Sequence, residues 1–187
     1  MILEKLRTET KDDHSSLEKM IIPRIKTATK ESYINLLQIF YGYYKPVEGL
    51  IDCYITDDIV PAYSQRRKAA SILDDLKTMT GKDIIPPLSP IAPAINDQYS
   101  ALGAMYVLEG STLGGKIISK MLMHNLALEN DAPLKFFTGY GPASHDMWQS
   151  FTQVLDHYSS DDARITQIVT AAGQTFSSFR SWIALHP

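Results

Sequence analysis

The sequence predicts an all-α protein, one helical bundle in which residues 1–187 form a single domain. Apolar residues recur at three- and four-residue spacing through most of the chain, the period of a helix with one buried face. No segment alternates apolar and polar residues as a half-buried strand would. Prolines and glycines cluster at 81–93 and 133–142, between periodic segments. A chain of 187 residues with 44% hydrophobic residues is long enough and apolar enough to bury a substantial core.

The first helix is expected over 2–21, with Leu3, Leu6, Leu17 and Ile21 on one stripe. Thr10 and His14 share that face, four residues apart, and Pro23 is expected to end the helix. A second helix is expected over 29–54, through Tyr33, Leu36, Leu37, Phe40, Tyr41 and Tyr44, kinked at Pro46. The third covers 64–79, with Ala69, Ile72, Leu73 and Leu76 inward and Gly81 closing it. Pro86, Pro87, Pro90 and Pro93 make 84–93 a stiff extended connection between helices that need each other's faces. The fourth helix runs from 97 to 128, and 129–145 reads as a loop with Pro133, Gly139, Gly141 and Pro142. A fifth spans 144–158. The last opens on Ser160, Asp161 and Asp162, which combine capping chemistry with acids in the first turn. It continues through Ile168, Phe176, Phe179 and Trp182 to the C-terminus.

Charge and motif content exclude several function classes. A net charge of -3 gives no bulk attraction to nucleic acid or to an anionic membrane. No segment has the length of an uncharged membrane span, and the N-terminus lacks a signal-peptide core. The one cysteine, Cys53, precludes a disulfide framework and reads as a small buried hydrophobe; the expected compartment is the cytoplasm. Phosphate loops, dinucleotide fingerprints and nucleophile elbows are missing. The histidines at 14, 124, 145, 157 and 186 show no helical pairing, which argues against a di-iron carboxylate site.

Two features carry chemistry. The fourth helix contains Gly103, Gly110, Gly114 and Gly115. Each glycine in a helix costs roughly 1 kcal/mol relative to alanine, so the cluster at 110–115 gives up roughly 3 kcal/mol of local propensity. Close helix packing, a helix–turn–helix break capped by Ser111 or Thr112, or a flat ligand against the backbone would each account for it. The second feature is His14. Glu18 lies one turn on, placed to accept the second ring N–H of a ligating imidazole, while Lys11 and Arg7 lie one and two turns before it. A core histidine with solvated flanking charges is the alternative. Heme would use both features: it is flat, largely apolar, edged by two carboxylates, and can be held by one histidine with the other iron face open.

The stretch Leu6-Arg-Thr-Glu-Thr-Lys-Asp-Asp-His14-Ser-Ser-Leu-Glu18 resembles the proximal-helix motif of heme oxygenases. Gly103-Ala-Met-Tyr-Val-Leu-Glu-Gly-Ser-Thr-Leu-Gly-Gly115 is similar to the distal helix of their bacterial, biliverdin-producing branch. Ala171-Ala-Gly-Gln-Thr-Phe176-Ser-Ser-Phe179-Arg-Ser-Trp182 resembles that branch's last helix. The three matches fall in family order and span nearly the whole chain; the distal one is the most specific.

The resemblance implies a heme-oxygenase-like bundle with a kinked glycine-rich distal helix. His14 would be the iron ligand and Glu18 its orienting partner. Arg7 and Lys11 would take the heme carboxylates. Gly110 and Gly114 would approach the heme, Gly115 would allow the kink, and Phe176 and Phe179 would touch the macrocycle or simply pack the core. Ser111 stands where animal heme oxygenases carry an aspartate that organises water; the bacterial branch also lacks that acid. Glu109, about 100° round the helix, is not assigned as a proton donor. The implied activity is oxidation of heme to biliverdin with release of iron and carbon monoxide, using O2. Electrons would come from a ferredoxin- or flavoprotein-type reductase. The product would serve a bacterial phytochrome or iron acquisition. A non-catalytic heme carrier or sensor, and a heme-free all-α enzyme, are the rival readings.

Overall fold

The computed structural model describes residues 2–187. Its helices are α1 (Ile2–Glu9), α2 (Lys11–Lys26), α3 (Lys30–Asp52), α4 (Ala70–Thr80), α5 (Gln98–Gly110), α6 (Gly115–Asn125), α7 (Lys135–Thr138), α8 (Ser144–Tyr158) and α9 (Asp162–Ala184). Among the described residues no strand forms, so the all-α expectation holds.

Three helix ends follow from capping chemistry. Thr29 caps α3 and Asp97 caps α5, each in a reciprocal box with a serine three residues on. Asp161 caps α9 by accepting from the Arg164 N–H at 2.9 Å. Gly81 ends α4 at φ 70°, a conformation that a side chain resists.

The expected boundaries shift where long-range contacts decide. The first predicted helix is interrupted at Thr10, whose hydroxyl bonds back to the Leu6 carbonyl at 2.7 Å. Pro23 does not end α2. It sits exposed inside the helix, while buried Ile25 and the bond from Arg24 to the His186 carbonyl, 2.6 Å, hold the last turn. As expected, α3 runs through Pro46, and it ends at Asp52. The start expected at residue 64 is instead a 3-10 turn, Tyr63–Gln65, followed by extended Arg66, because the buried Arg66 guanidinium is drawn to Glu109. The fourth helix is α5, a 3-10 turn (Ser111–Gly114) and α6, and it stops at Asn125 rather than 128. Within the expected loop, α7 forms because buried Asp75 accepts the Lys135 and Phe136 N–H groups at 2.8 and 2.9 Å. Cys53, expected in the core, is exposed at the end of α3.

The deepest crossing is α5 against α9. A Cβ on Gly103 would lie 2.2 Å from the Ile168 carbonyl oxygen, so only glycine permits this approach. Buried aromatic and aliphatic side chains from nearly every helix join one continuous core. Among the described residues, no helix is long and apolar enough to cross a membrane.

Candidate functional site

A cavity of about 370 Å³ opens where α1 and α2 meet α5, the 3-10 turn and α9. Its volume falls in the range of small-molecule sites. One wall is the helix pair α1–α2, which contributes Arg7, Lys11, His14 and Glu18. Another is the end of α5 and the turn after it, with Gly110, Ser111 and Gly114. Phe176 and Phe179 enter from α9, and Phe40, Tyr44, Phe136 and Phe137 complete an aromatic interior.

Helix periodicity explains the histidine wall. Arg7, Lys11, His14 and Glu18 fall at four-, three- and four-residue intervals, so they line up along one helical face despite the break at Thr10. His14 Nδ1 lies 3.6 Å from Glu18 Oε2, and both side chains are more than half exposed. That leaves Nε2 as the ring nitrogen without a partner on its own helix. The imidazole meets the edge of Phe176, ring centroids 5.7 Å apart. Phe179 stacks on Tyr43 at 4.4 Å and is nearly buried, so it shapes the cavity while belonging to the core.

The glycine wall has a different construction. Nothing but the Trp148 ring, at 3.6 Å, would meet a Cβ on Gly110, and Gly114 has only Ile118 at 3.9 Å. Their lack of side chains leaves space rather than admitting another backbone. Gly115, expected beside them, is turned away from the cavity. A Cβ there would come within 1.9 Å of the Phe137 carbonyl oxygen, so this glycine docks α6 on α7.

Ser111 is fully bonded. Its hydroxyl donates to the Leu108 carbonyl at 2.7 Å and accepts from Tyr44 at 3.2 Å and Arg67 Nη2 at 2.8 Å. Glu109 points elsewhere. Its carboxylate is buried, accepting from Arg66 Nη1 at 2.6 Å and from the Tyr140 hydroxyl at 2.8 Å. Burial and the adjacent Glu109 charge push the Tyr140 phenol up, so it remains a donor at neutral pH. Arg66 also holds Ser150 at 2.9 Å and the Met147 carbonyl at 3.2 Å, tying α8 to the end of α5.

Nine of the ten expected site residues therefore line one cavity, Gly115 excepted. Sequence reasoning missed Arg67, Tyr106 and Trp148 as lining residues, and placed Tyr44 on a core stripe without a site role. Arg67 gave no signal, because Arg66-Arg67-Lys68 resembles an ordinary solvated run. Of the three buried tyrosines at 41, 43 and 44, only Tyr44 reaches the cavity.

The residues fit a flat apolar group with an anionic edge. Aromatic faces supply the apolar contact and Arg7 with Lys11 supply cations. Among the described residues, no cluster of three or more His, Cys, Asp or Glu side chains could hold a bare metal ion. A metal bound through His14 would have to arrive with most of its own ligands, as a porphyrin iron does.

Comparison with known proteins agrees with this architecture. The model of the heme oxygenase family matches residues 1–184. A heme oxygenase from Xanthomonas campestris pv. campestris is 21% identical over 164 residues, covering 82% of this chain and 90% of that one. The structure of heme oxygenase from Leptospira interrogans superposes with TM-score 0.79 at 18% identity, covering 98% of both chains. The NO- and CO-bound heme oxygenase from Neisseria meningitidis gives TM-score 0.81 at 18% identity, covering 99% of this chain and 91% of that one. At these identities the structural likeness establishes the fold.

Proposed function

Since the chain belongs to the heme oxygenase family, we propose that residues 1–187 act as one domain that oxidises heme to biliverdin, releasing iron and carbon monoxide. Heme is both substrate and cofactor, and O2 is the oxidant. The observation that carries this reading is the gathering of one histidine, two cations and a wall without side chains around a single aromatic cavity. When bound, heme supplies the iron at which dioxygen is activated and the ring carbon that is attacked.

The chain's own part is to bind, orient and exclude. His14 would hold the iron through Nε2, and Glu18, whose Oε2 lies 3.6 Å from Nδ1, would orient the ring. A neutral imidazole pushes less electron density to the metal than a thiolate, which suits attack on the ring edge. Arg7 and Lys11 take the carboxylates. Phe176 and Phe179 hold the macrocycle and keep water from it. Gly110 and Gly114, having no side chains, would let the backbone lie close to the bound heme, and that backbone would shield part of the ring edge. Ser111, bonded to Leu108, Tyr44 and Arg67, holds the latter two side chains at the glycine wall, and water fixed by backbone carbonyls delivers the protons. Glu109 takes no part, because its carboxylate is committed to Arg66 and Tyr140. Electrons come from a separate ferredoxin- or flavoprotein-type reductase, and the products serve a phytochrome chromophore or iron acquisition.

Absorbance titration with hemin tests the assignment. A histidine-type Soret band is expected, lost or strongly altered in His14→Ala. Added reductant and oxygen should then convert the spectrum to that of biliverdin. A complex that survives reductant and oxygen unchanged would make the protein a carrier, and an unchanged spectrum in His14→Ala would remove the axial assignment.

A further inference from the structure

We infer that Arg67 is the electrostatic residue of the glycine wall, making the space beside Ser111 a site for an anion. This rests on the reading that heme occupies the cavity with His14 as its ligand. The Arg67 guanidinium lines the cavity. Its Nη2 donates to the Leu108 carbonyl at 2.6 Å and to Ser111 Oγ at 2.8 Å, and Nη1 donates to the Phe136 carbonyl at 3.4 Å. The guanidinium carbon stands 4.3 Å from the Phe136 ring centroid and 5.5 Å from that of Tyr44. Every one of these partners is neutral.

The neighbouring arginine shows the contrast. Arg66 is paired with Glu109 at 2.6 Å, so its charge is cancelled where it lies. Among the described residues, no carboxylate oxygen comes within 4.0 Å of Arg67. A guanidinium does not lose its proton in a folded protein, so this charge is permanent. Two of its five N–H groups remain after the three hydrogen bonds above. An uncancelled cation in a partly dry cavity favours negative charge beside it far more than the same cation in water would. Arg7 and Lys11 are on the histidine wall, so on the glycine wall Arg67 supplies the positive field. Tyr44 and Ser111 position it: the serine hydroxyl accepts from both, holding the guanidinium beside Ser111 in the same cavity lining as Gly110 and Gly114.

The test measures ligands of the hemin-loaded protein rather than turnover. Azide and fluoride are titrated by absorbance into wild type, Arg67→Gln and Arg67→Lys, with carbon monoxide on the reduced form as the neutral control. Arg67→Gln keeps hydrogen-bond donors without the charge, and is expected to weaken both anions about tenfold or more. Arg67→Lys, which keeps the charge but loses the planar fork, should bind the anions more tightly than Arg67→Gln and less tightly than wild type, and carbon monoxide should change by less than about threefold in either variant. If Arg67→Gln fails to fold by circular dichroism, Arg67→Met, whose stem still packs on Phe136, takes its place with the same expected losses. Anion affinities within about twofold of wild type in the uncharged variant overturn the inference. So does an equal loss for carbon monoxide, which would mean a changed cavity shape. Loss of hemin affinity with unchanged anion affinity also overturns it, and would place Arg67 on a heme carboxylate. A wild-type protein that forms no hemin complex removes the underlying reading instead, and that outcome is visible before any variant is made.

Discussion

Gly103 and Gly115 differ from Gly110 and Gly114 in what replaces the missing side chain, although all four lie within one stretch of the chain. At Gly103 and Gly115 a neighbouring carbonyl fills the space, at 2.2 and 1.9 Å from where a Cβ would be. At Gly110 and Gly114 nothing approaches closer than 3.6 Å, and both line the cavity. The first pair is a condition of folding, because backbone cannot move aside as a flexible side chain can. The second pair is surplus to the fold: Gly110 has ordinary helical backbone, φ -57° and ψ -31°, and would be more stable as alanine. Glycine kept where alanine would stabilise is what a site for a ligand looks like.

The sharpest way to break this contrast is Gly115→Ala. It should destabilise by about 3 kcal/mol or more, measured by chemical denaturation, because α6 must separate from α7. Gly103→Ala should cost a similar amount by opening the α5–α9 crossing. Either variant folding with wild-type stability would show that these approaches are not needed.

Asp75 tests the same contact from the other side, since it holds the first N–H groups of α7, whose Phe137 carbonyl Gly115 receives. Burial raises its pKa to about 7, from an ordinary value of 3.8. A carboxyl raised in the folded state favours folding in its protonated form. Its contribution is therefore full below about pH 4 and is lost as pH rises through about 7. The expected decline is on the order of 4 kcal/mol at most, and Asp75→Asn should flatten the dependence of melting temperature on pH over that window. An identical pH profile in wild type and variant would remove Asp75 as the cause.

The smallest effects belong to the open pair. Gly110→Ala should raise stability by about 0.5–1 kcal/mol while weakening hemin binding in the absorbance titration. Gly114→Ala, in a 3-10 turn, should gain less and weaken hemin in the same direction. Unchanged hemin affinity in both variants would mean that the glycine wall does not touch the ligand.

Elements whose periodicity is strong and whose ends carry local capping were legible in the sequence. Predicted and observed bounds coincide for α8; α3 differs by one residue at its start and two at its end, and α9 by two and three. The errors share a cause. Pro23 reads locally as a stop because its effect on a helix is disruptive, yet its cost falls on an exposed turn while buried Ile25 and the C-terminal contact hold the helix. Residues 64–69 read as helix because nothing local announces that Arg66 is drawn across to Glu109. The four-residue α7 has no periodicity to detect and depends on an aspartate 60 positions away in the chain. In the site, His14 and Glu18 were legible because one helix places them together, as were Gly110, Ser111 and Gly114 along one stretch. Arg67 and Trp148 reach the cavity from separate segments through tertiary contacts alone, and Gly115 was indistinguishable from its neighbours until Phe137 was in place.

The buried bonds of Glu109 to Arg66 and Tyr140 have a consequence for rotation. Successive residues of a helix point about 100° apart, so turning the end of α5 by one position would swing an acid into the cavity and take the glycine out. Cores of Leu, Ala and Val resist such turning weakly, because one apolar side chain replaces another with little loss. A carboxylate clamped from two sides does not slide, since each lost bond leaves a buried charge unpaired. Glu109 thus works as a key in a shaft: it sets the angle at which α5 presents Gly110 and Ser111, while taking no part in what they touch.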